Sequence, residues 1–277
     1  MTVQSTRNYV LGHSDAELRR LQRQGALHAA CTDDLMRHAG MRNGMRVLDV
    51  GCGVGDVALQ AARLVGPSGA VLGIDRAPEP LAIARARAQH AGLDWCRFEP
   101  ADIESFSSSE PFDAVIGRLV LMYVADPAAA LRNLVRSLRP GGIVAFQELE
   151  VSSAHAVPDG PLLTQLATWV IEALRRAGAE IDMGPKLFAT FRDAGLPEPQ
   201  MMGAISVVSG PDSVGYENLA GLVRAALPAL ERYGIATAAE VDIDTLEDRL
   251  REEAVIGHRI YLFPPLLSAW TRIPDKP

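Results

Sequence analysis

Between Arg46 and Glu148 short apolar runs alternate with amphipathic stretches, and this alternation limits the fold more than any other feature of the chain. Arg46–Val50, Ala70–Ile74, Trp95–Glu99, Phe112–Ile116 and Ile143–Glu148 read as strands. Helices are predicted over Asp56–Val65, over Pro80–Ala91 and from Asp126-Pro127 to Leu138, the last with proline where a helix's first N–H has no partner to lose. Strands and helices at this spacing make βαβ units, and those build a mostly parallel sheet with helices on both faces.

Upstream, Ser14 to Ala39 has a helical pattern, with Leu18, Leu21, Leu27, Leu35 and Met36 near one face. Ser14 is placed to cap it, with Glu17 three residues on. Beyond Leu149 the alternation becomes irregular. Helices are expected over Pro161–Ala177 and Gly184–Ala194, and a sixth strand over Met201–Val208. Asp212–Ala254 reads as helical with breaks near Pro228 and Gly234, and Arg259–Trp270 as a last strand interrupted at Pro264-Pro265. No Gly/Ser-rich linker separates the halves. The chain therefore reads as one domain over 1–277, with a helical leader or lid (1–40), a binding core (41–150), and a cap with the last strands (151–277).

Charge narrows the partners. With 27 Lys plus Arg against 34 Asp plus Glu, the 277 residues carry a net charge of −7, which disfavours a nucleic-acid or anionic-membrane coat. Three cysteines, Cys31, Cys52 and Cys96, form no CxxC pair, so no disulfide framework and no thiolate zinc site is expected. His28, Cys31 and Asp33 have metal-ligand spacing on one helix, but no second cluster accompanies them and no metal is expected. The N-terminus lacks the apolar region of a signal peptide, and no run approaches the length that spans a bilayer. The expectation is a cytoplasmic protein acting on a small molecule, without nucleic-acid or membrane partners, with self-association to a homo-oligomer left open.

The chemistry concentrates at Val47–Gly55, where Gly51, Gly53 and Gly55 follow the first strand. Glycines there let a ligand approach the main chain closely. The spacing departs from the dinucleotide fingerprint G-x-G-x-x-G, because Asp56 stands where that loop needs its third glycine. An acid at that mouth repels a pyrophosphate. Asp49, two residues before the first glycine, also favours a ligand with positive charge. Asp75 ends the second strand, where a carboxylate accepts both hydroxyls of a ribose, and Asp102 follows the third, where it can accept from an exocyclic amine. Together these acids specify a nucleoside without phosphates that bears a cationic arm.

In order and spacing, Val47–Gly55, Gly73-Ile-Asp75, Ala101-Asp-Ile103, Phe112-Asp-Ala-Val-Ile116 and Leu138-Arg-Pro-Gly-Gly142 resemble the successive motifs of class I S-adenosylmethionine-dependent methyltransferases. The resemblance covers about Arg46 to Glu150. It implies a Rossmann-like, doubly wound sheet of seven strands, the last antiparallel, with a helical substrate cap. It implies S-adenosylmethionine as cofactor, with Gly51, Gly53 and Gly55 along the methionine arm and Asp49 near its ammonium. Asp75, with Arg76 beside it, would hold the ribose; Asp102 and the Ile103 N–H would read the adenine; Arg118 would sit at the methionine end. Tyr9-Val-Leu-Gly12 resembles the leader of a bacterial subgroup rich in small-molecule methyltransferases of secondary metabolism, which implies that Tyr9 reaches the cofactor. The acceptor is expected to be small and partly apolar, methylated at O, N or C.

Glu148 and His155, at and just beyond the end of the fifth strand, are the candidates for a catalytic base. Other readings remain open. A methyltransferase-like enzyme using the same cofactor for cyclisation or decarboxylation would carry the same motifs. A nicotinamide oxidoreductase is disfavoured by Asp56.

Overall fold

The computed structural model describes Gly12 and residues 15–275. Tyr9 and Ser14, with the expectations placed on them, lie outside the described residues. The chain runs α1 (Asp15–Ala39), β1 (Arg46–Val50), α2 (Asp56–Val65), β2 (Ala70–Asp75), α3 (Pro78–His90), β3 (Cys96–Pro100) and β4 (Phe112–Arg118). After a helical turn at Leu121–Tyr123 come α4 (Pro127–Val135), β5 (Leu138–Leu149), β6 (His155–Val157), α5 (Pro161–Arg176) and α6 (Met183–Asp193). The last part is β7 (Gln200–Ala204), β8 (Val207–Val208), α7 (Gly215–Arg232), α8 (Ala238–Val241), α9 (Leu246–Ile256), β9 (Ile260–Leu262) and β10 (Leu266–Arg272).

Seven strands form one sheet in the order β3-β2-β1-β4-β5-β10-β7, with β10 antiparallel to both neighbours. β1 lies inside it, pairing with β2 and β4, which puts Asp49 level with Gly73 and Ile116. A strand buried on both faces is apolar throughout, and Val47, Leu48 and Val50 of β1 are sealed from solvent. One face carries α2 and the C-terminal half of α1, where Leu35, Met36, Ala58 and Ala62 meet Val47, Ile116 and Ala145. The other carries α4 and α6, packing Leu131, Leu187 and Phe191 on Leu48, Val144 and Phe146. Asp126 caps α4 by accepting the Ala129 N–H at 2.8 Å.

The cap has a core of its own, in which α5, α7 and α9 enclose Leu166, Tyr216, Leu230, Leu250 and Tyr261. Two strand expectations are corrected here. The chain around Pro264-Pro265 is two strands, β9 and β10, because consecutive prolines supply no ladder N–H. The run Met201–Val208 divides likewise into β7 and β8. β7 pairs with β10 in the main sheet, while β8, β9 and β6 form a second sheet in the order β6-β9-β8. The two halves are one bent antiparallel ribbon: Leu266 lies opposite Ala204, Leu262 opposite Val207, and the Phe263 N–H donates to Ser206 O at the bend. Pro228 does not break its helix. α7 continues through it because Tyr216, Ala220, Val223, Ala226 and Leu230 are buried along one face, which outweighs the single lost bond.

Candidate active site

At the exit of β1 the chain turns through Gly51, Gly53 and Gly55 with φ of 65°, 51° and 86°. These are left-handed values that residues with a Cβ rarely adopt. At Gly51 the Val120 side chain occupies the space a Cβ would need. At Gly53 nothing lies within 4 Å of that position, so the backbone faces open space. The loop is tied to the next strand by Asp75, whose Oδ2 accepts the Gly53 N–H at 2.9 Å and whose Oδ1 accepts the Ala77 N–H at 3.0 Å. Each oxygen keeps a lone pair for a further donor. Asp75 thus shapes the loop as well as ending the strand.

Asp49 is 1 % exposed, and its Oδ2 has no hydrogen-bond partner among the described residues. Burial pushes its carboxyl up to about 8, although Arg118 nearby opposes the shift. An unpaired buried carboxyl is costly, and the arrangement suits a cation brought in by a ligand. Cys52, beside it, is buried and its thiol is pushed well up, so it is not a thiolate nucleophile.

Arg76 bridges two acids, donating to Asp102 from Nε and Nη2 at 2.9 Å each and to Glu104 Oε2 at 2.7 Å. The Glu104 N–H also donates to Asp102 Oδ1, at 2.8 Å. Asp102 Oδ2 therefore keeps one acceptor position, and Arg76 shapes the acid's setting. Ile103 is buried, its carbonyl accepts from Asn133 Nδ2, and its N–H has no partner among the described residues.

Past β4, Leu119 adopts φ 56°, unusual for a residue with a branched side chain. That bend leads into the Leu121–Tyr123 turn. Glu148 fixes the turn: it is 0 % exposed, and its Oε1 accepts the N–H groups of Val120 at 2.9 Å and Leu121 at 2.7 Å. Its Oε2 is unpartnered among the described residues, and burial pushes the carboxyl up to about 8. His155 is exposed on β6, its Nδ1 2.8 Å from Ser153 O, and no contact among the described residues joins its ring to Glu148 or the loop.

Arg118 reaches from β4 to α1, donating from Nη1 to Thr32 Oγ1 at 2.9 Å. Thr32 donates to Gln147 Oε1 at 2.8 Å, and Gln147 Nε2 to Ser268 Oγ at 2.9 Å, so a buried polar chain links α1 to β4, β5 and β10. α1 also lies against the glycine loop: Gly25 packs on the Asp56 carboxylate, and Gln60 Nε2 donates to Ala29 O at 3.0 Å. Besides its apolar residues, α1 turns polar groups inward. Glu17, Arg20, His28 and Thr32 are all buried, with Glu17 and Arg20 paired at 2.6 Å. Their spacing of three, eight and four residues marks one helical face, a signal present in the sequence but masked by the neighbouring leucines. Among the described residues no cluster of metal-binding type occurs, and no helix is long and apolar enough to cross a membrane.

A family model described as a methyltransferase domain matches residues 41–178. The 2-phytyl-1,4-naphtoquinone methyltransferase of Synechococcus elongatus is 31% identical over 209 residues, covering 71% of this chain and 84% of the relative. The chain belongs to the class I S-adenosylmethionine-dependent methyltransferases. The ubiquinone/menaquinone biosynthesis C-methyltransferase UbiE of Azotobacter vinelandii is likewise 31% identical, over 71% of this methyltransferase and 78% of its own length. Among solved structures, a putative methyltransferase from Bacillus halodurans superimposes with a TM-score of 0.56 at 19% identity, covering 88% of this chain and 98% of its own. The [4+2]-cyclase SpnF does so with a TM-score of 0.52 at 24% identity, over 88% and 80%. Both likenesses concern the fold. The family's cofactor is S-adenosylmethionine, and the residues here fit it, since the orphaned Asp49 oxygen, the open backbone at Gly53 and the spare acceptors of Asp75 match an ammonium, a methionine arm and a ribose.

Proposed function

We propose that this methyltransferase transfers a methyl group to a ring carbon of a small, hydroxylated, partly apolar aromatic acceptor of the quinol type. The observation that carries the cofactor half is Asp49, a buried acid with an orphaned oxygen beside the glycine loop, with the half-buried Arg118 close enough to act on its carboxyl. That pair complements the ammonium and carboxylate of an amino acid. Asp75 would hold the ribose, and Asp102 with the Ile103 N–H the adenine. When bound, the cofactor supplies an electrophilic methyl on a sulfonium.

The acceptor class is supported by the two relatives, both named for quinone methylation and one as a C-methyltransferase. A ring carbon becomes a competent nucleophile when a neighbouring hydroxyl is ionised, so the site must take a proton and hold an oxyanion. It must also align carbon with methyl, the term on which an in-line displacement depends most. Glu148 serves the alignment, because it freezes the turn through Val120 and Leu121 against which Gly51 packs. No nucleic-acid or membrane partner is part of this reading.

The test is incubation with methyl-labelled S-adenosylmethionine and a 2-alkyl-1,4-naphthoquinol unsubstituted at carbon 3, kept reduced. The expected product carries the label on carbon 3. A chain that binds the cofactor but labels only amines, or nothing, would refute the proposed acceptor.

A further inference from the structure

Gly25 stands in the interior of α1, where glycine is less stable than alanine, and its backbone is not left-handed, so conformation gives no reason for it. The reason is a neighbour. A Cβ at Gly25 would overlap the carboxyl carbon and both carboxyl oxygens of Asp56. A long, free side chain would swing aside at little cost, but Asp56 is short and is held. Arg87 of α3 donates from Nη2 to Asp56 Oδ1 at 2.7 Å and from Nη1 to Val54 O at 2.6 Å. The held carboxylate is 15 % exposed.

This clamp meets the glycine loop where the loop is least supported. Three left-handed glycines give the backbone little stiffness of its own. At the start of α2 the N-cap is Gly55, which offers no side-chain cap. Arg87 supplies what is missing by gripping the residues on both sides of Gly55. The Asp56 charge acts on both Asp49 and Arg118, so the clamp stands beside the groups assigned to the amino-acid end of the cofactor. From α1 the same region is tied by Ala29, which accepts from Gln60, and by Thr32, which accepts from Arg118. The seat at Gly25 is thus one of three points that fix α1 over the loop.

We infer that Arg87 is a positioning residue for the cofactor, holding Val54 and Asp56 so that the glycine loop, and the helix α1 that lies on it at Gly25, are set before S-adenosylmethionine arrives. Arg87 acts through the loop. A loop already fixed in its binding shape loses less freedom when the ligand is bound, which raises affinity without a new contact. The inference concerns the cofactor alone and does not depend on the proposed acceptor.

The test is titration calorimetry with S-adenosylmethionine, run beside thermal unfolding of each variant. Arg87→Met keeps the length of the side chain and removes both bonds, and affinity should fall by about tenfold or more. Arg87→Lys, which keeps the charge but not the fork, should recover part of the loss. Gly25→Ala should also weaken binding by about tenfold, and because alanine favours the helix, Tm should not fall in step. With Arg87→Met the Asp56 carboxylate is free to turn away, so adding Gly25→Ala to that variant should weaken binding by less than about a further twofold. Arg176→Met is the control. Arg176 of α5 likewise holds one carboxylate, Glu172, and one carbonyl, Tyr233 O, each at 2.7 Å, and its loss should leave affinity unchanged. If Arg87→Met does not fold, Arg87→Lys takes its place in the same cycle. Unchanged affinity in the Arg87 variant, losses that multiply in the double variant, or an equal loss in Arg176→Met would each overturn the inference.

Discussion

S-adenosylmethionine should drive a proton off this protein when it binds. Without ligand, Asp49 has its carboxyl pushed up to about 8 by burial, with one oxygen unpartnered. At pH 7 such a group is about nine-tenths protonated; a shift of one unit either way bounds the figure between about half and nearly one. An ammonium beside it returns the carboxylate to its ordinary acidic range, so binding at pH 7 should release about 0.9 of a proton. At pH 9 the group is already mostly ionised, and release should fall to about 0.1. Affinity should rise by about tenfold per pH unit from pH 6 to 7 and level off above 8. Titration calorimetry at pH 7 in phosphate and in Tris measures the release directly, because the observed heat differs by the proton number times the difference in buffer ionisation heat. Asp49→Asn should remove both the buffer dependence and the pH slope. Equal heats in the two buffers, or proton uptake, would refute the placement of the ammonium at Asp49.

Gly53→Val should leave a folded protein, since its Cβ meets open space, with a cost of about 1–2 kcal/mol for the left-handed backbone; calorimetry should show cofactor binding lost. Asp75→Ala removes the anchor of two backbone N–H groups together with the proposed ribose contact, so cofactor affinity should fall by about 2–3 kcal/mol with a measurable drop in Tm. An unchanged titration would take Asp75 out of the site. Glu148→Leu strands the Val120 and Leu121 N–H groups and should cost about 2–4 kcal/mol in urea unfolding, whereas Glu148→Gln keeps an acceptor and should cost less than half of that. The folded-state value of Glu148, about 8, lies above its unfolded one. Its contribution to stability is thus complete below about pH 4.3, is lost as pH rises towards 8, and should flatten out in Glu148→Gln.

The parallel core was legible because its physics is local. β1, β2 and β4 are short, largely apolar runs with glycine or aspartate at or just past their ends, and the observed order follows once helices cover both faces. Asp49, Asp75 and Asp102 were legible for the same reason, standing at strand ends where turns and ligands meet. Their hydrogen bonds were not. That Asp75 holds the Gly53 N–H and that Arg76 occupies much of Asp102 are facts of packing between strands, without a linear signature. α1 was read incompletely: Leu18, Leu35 and Met36 of the apolar face are buried as expected, but so are Glu17, Arg20, His28 and Thr32. Thr32 meets Arg118 of β4 and Gln147 of β5, and only knowledge of what lies underneath completes the reading. Pro264-Pro265 signalled an interruption, but a sequence pattern does not show that the chain crosses there into a second sheet.

The bent ribbon restricts how a reactant gets in. β7 with β10 belongs to the main sheet and β8 with β9 to the cap, yet the two pairs are built from the same two chain segments and follow one another across the bend with a one-residue shift in register. A lid that swung as a rigid body would have to shear this ribbon and with it the Phe263–Ser206 bond. The α5–α7–α9 bundle is therefore a fixed wall of the molecule, tied to the sheet that carries the glycine loop.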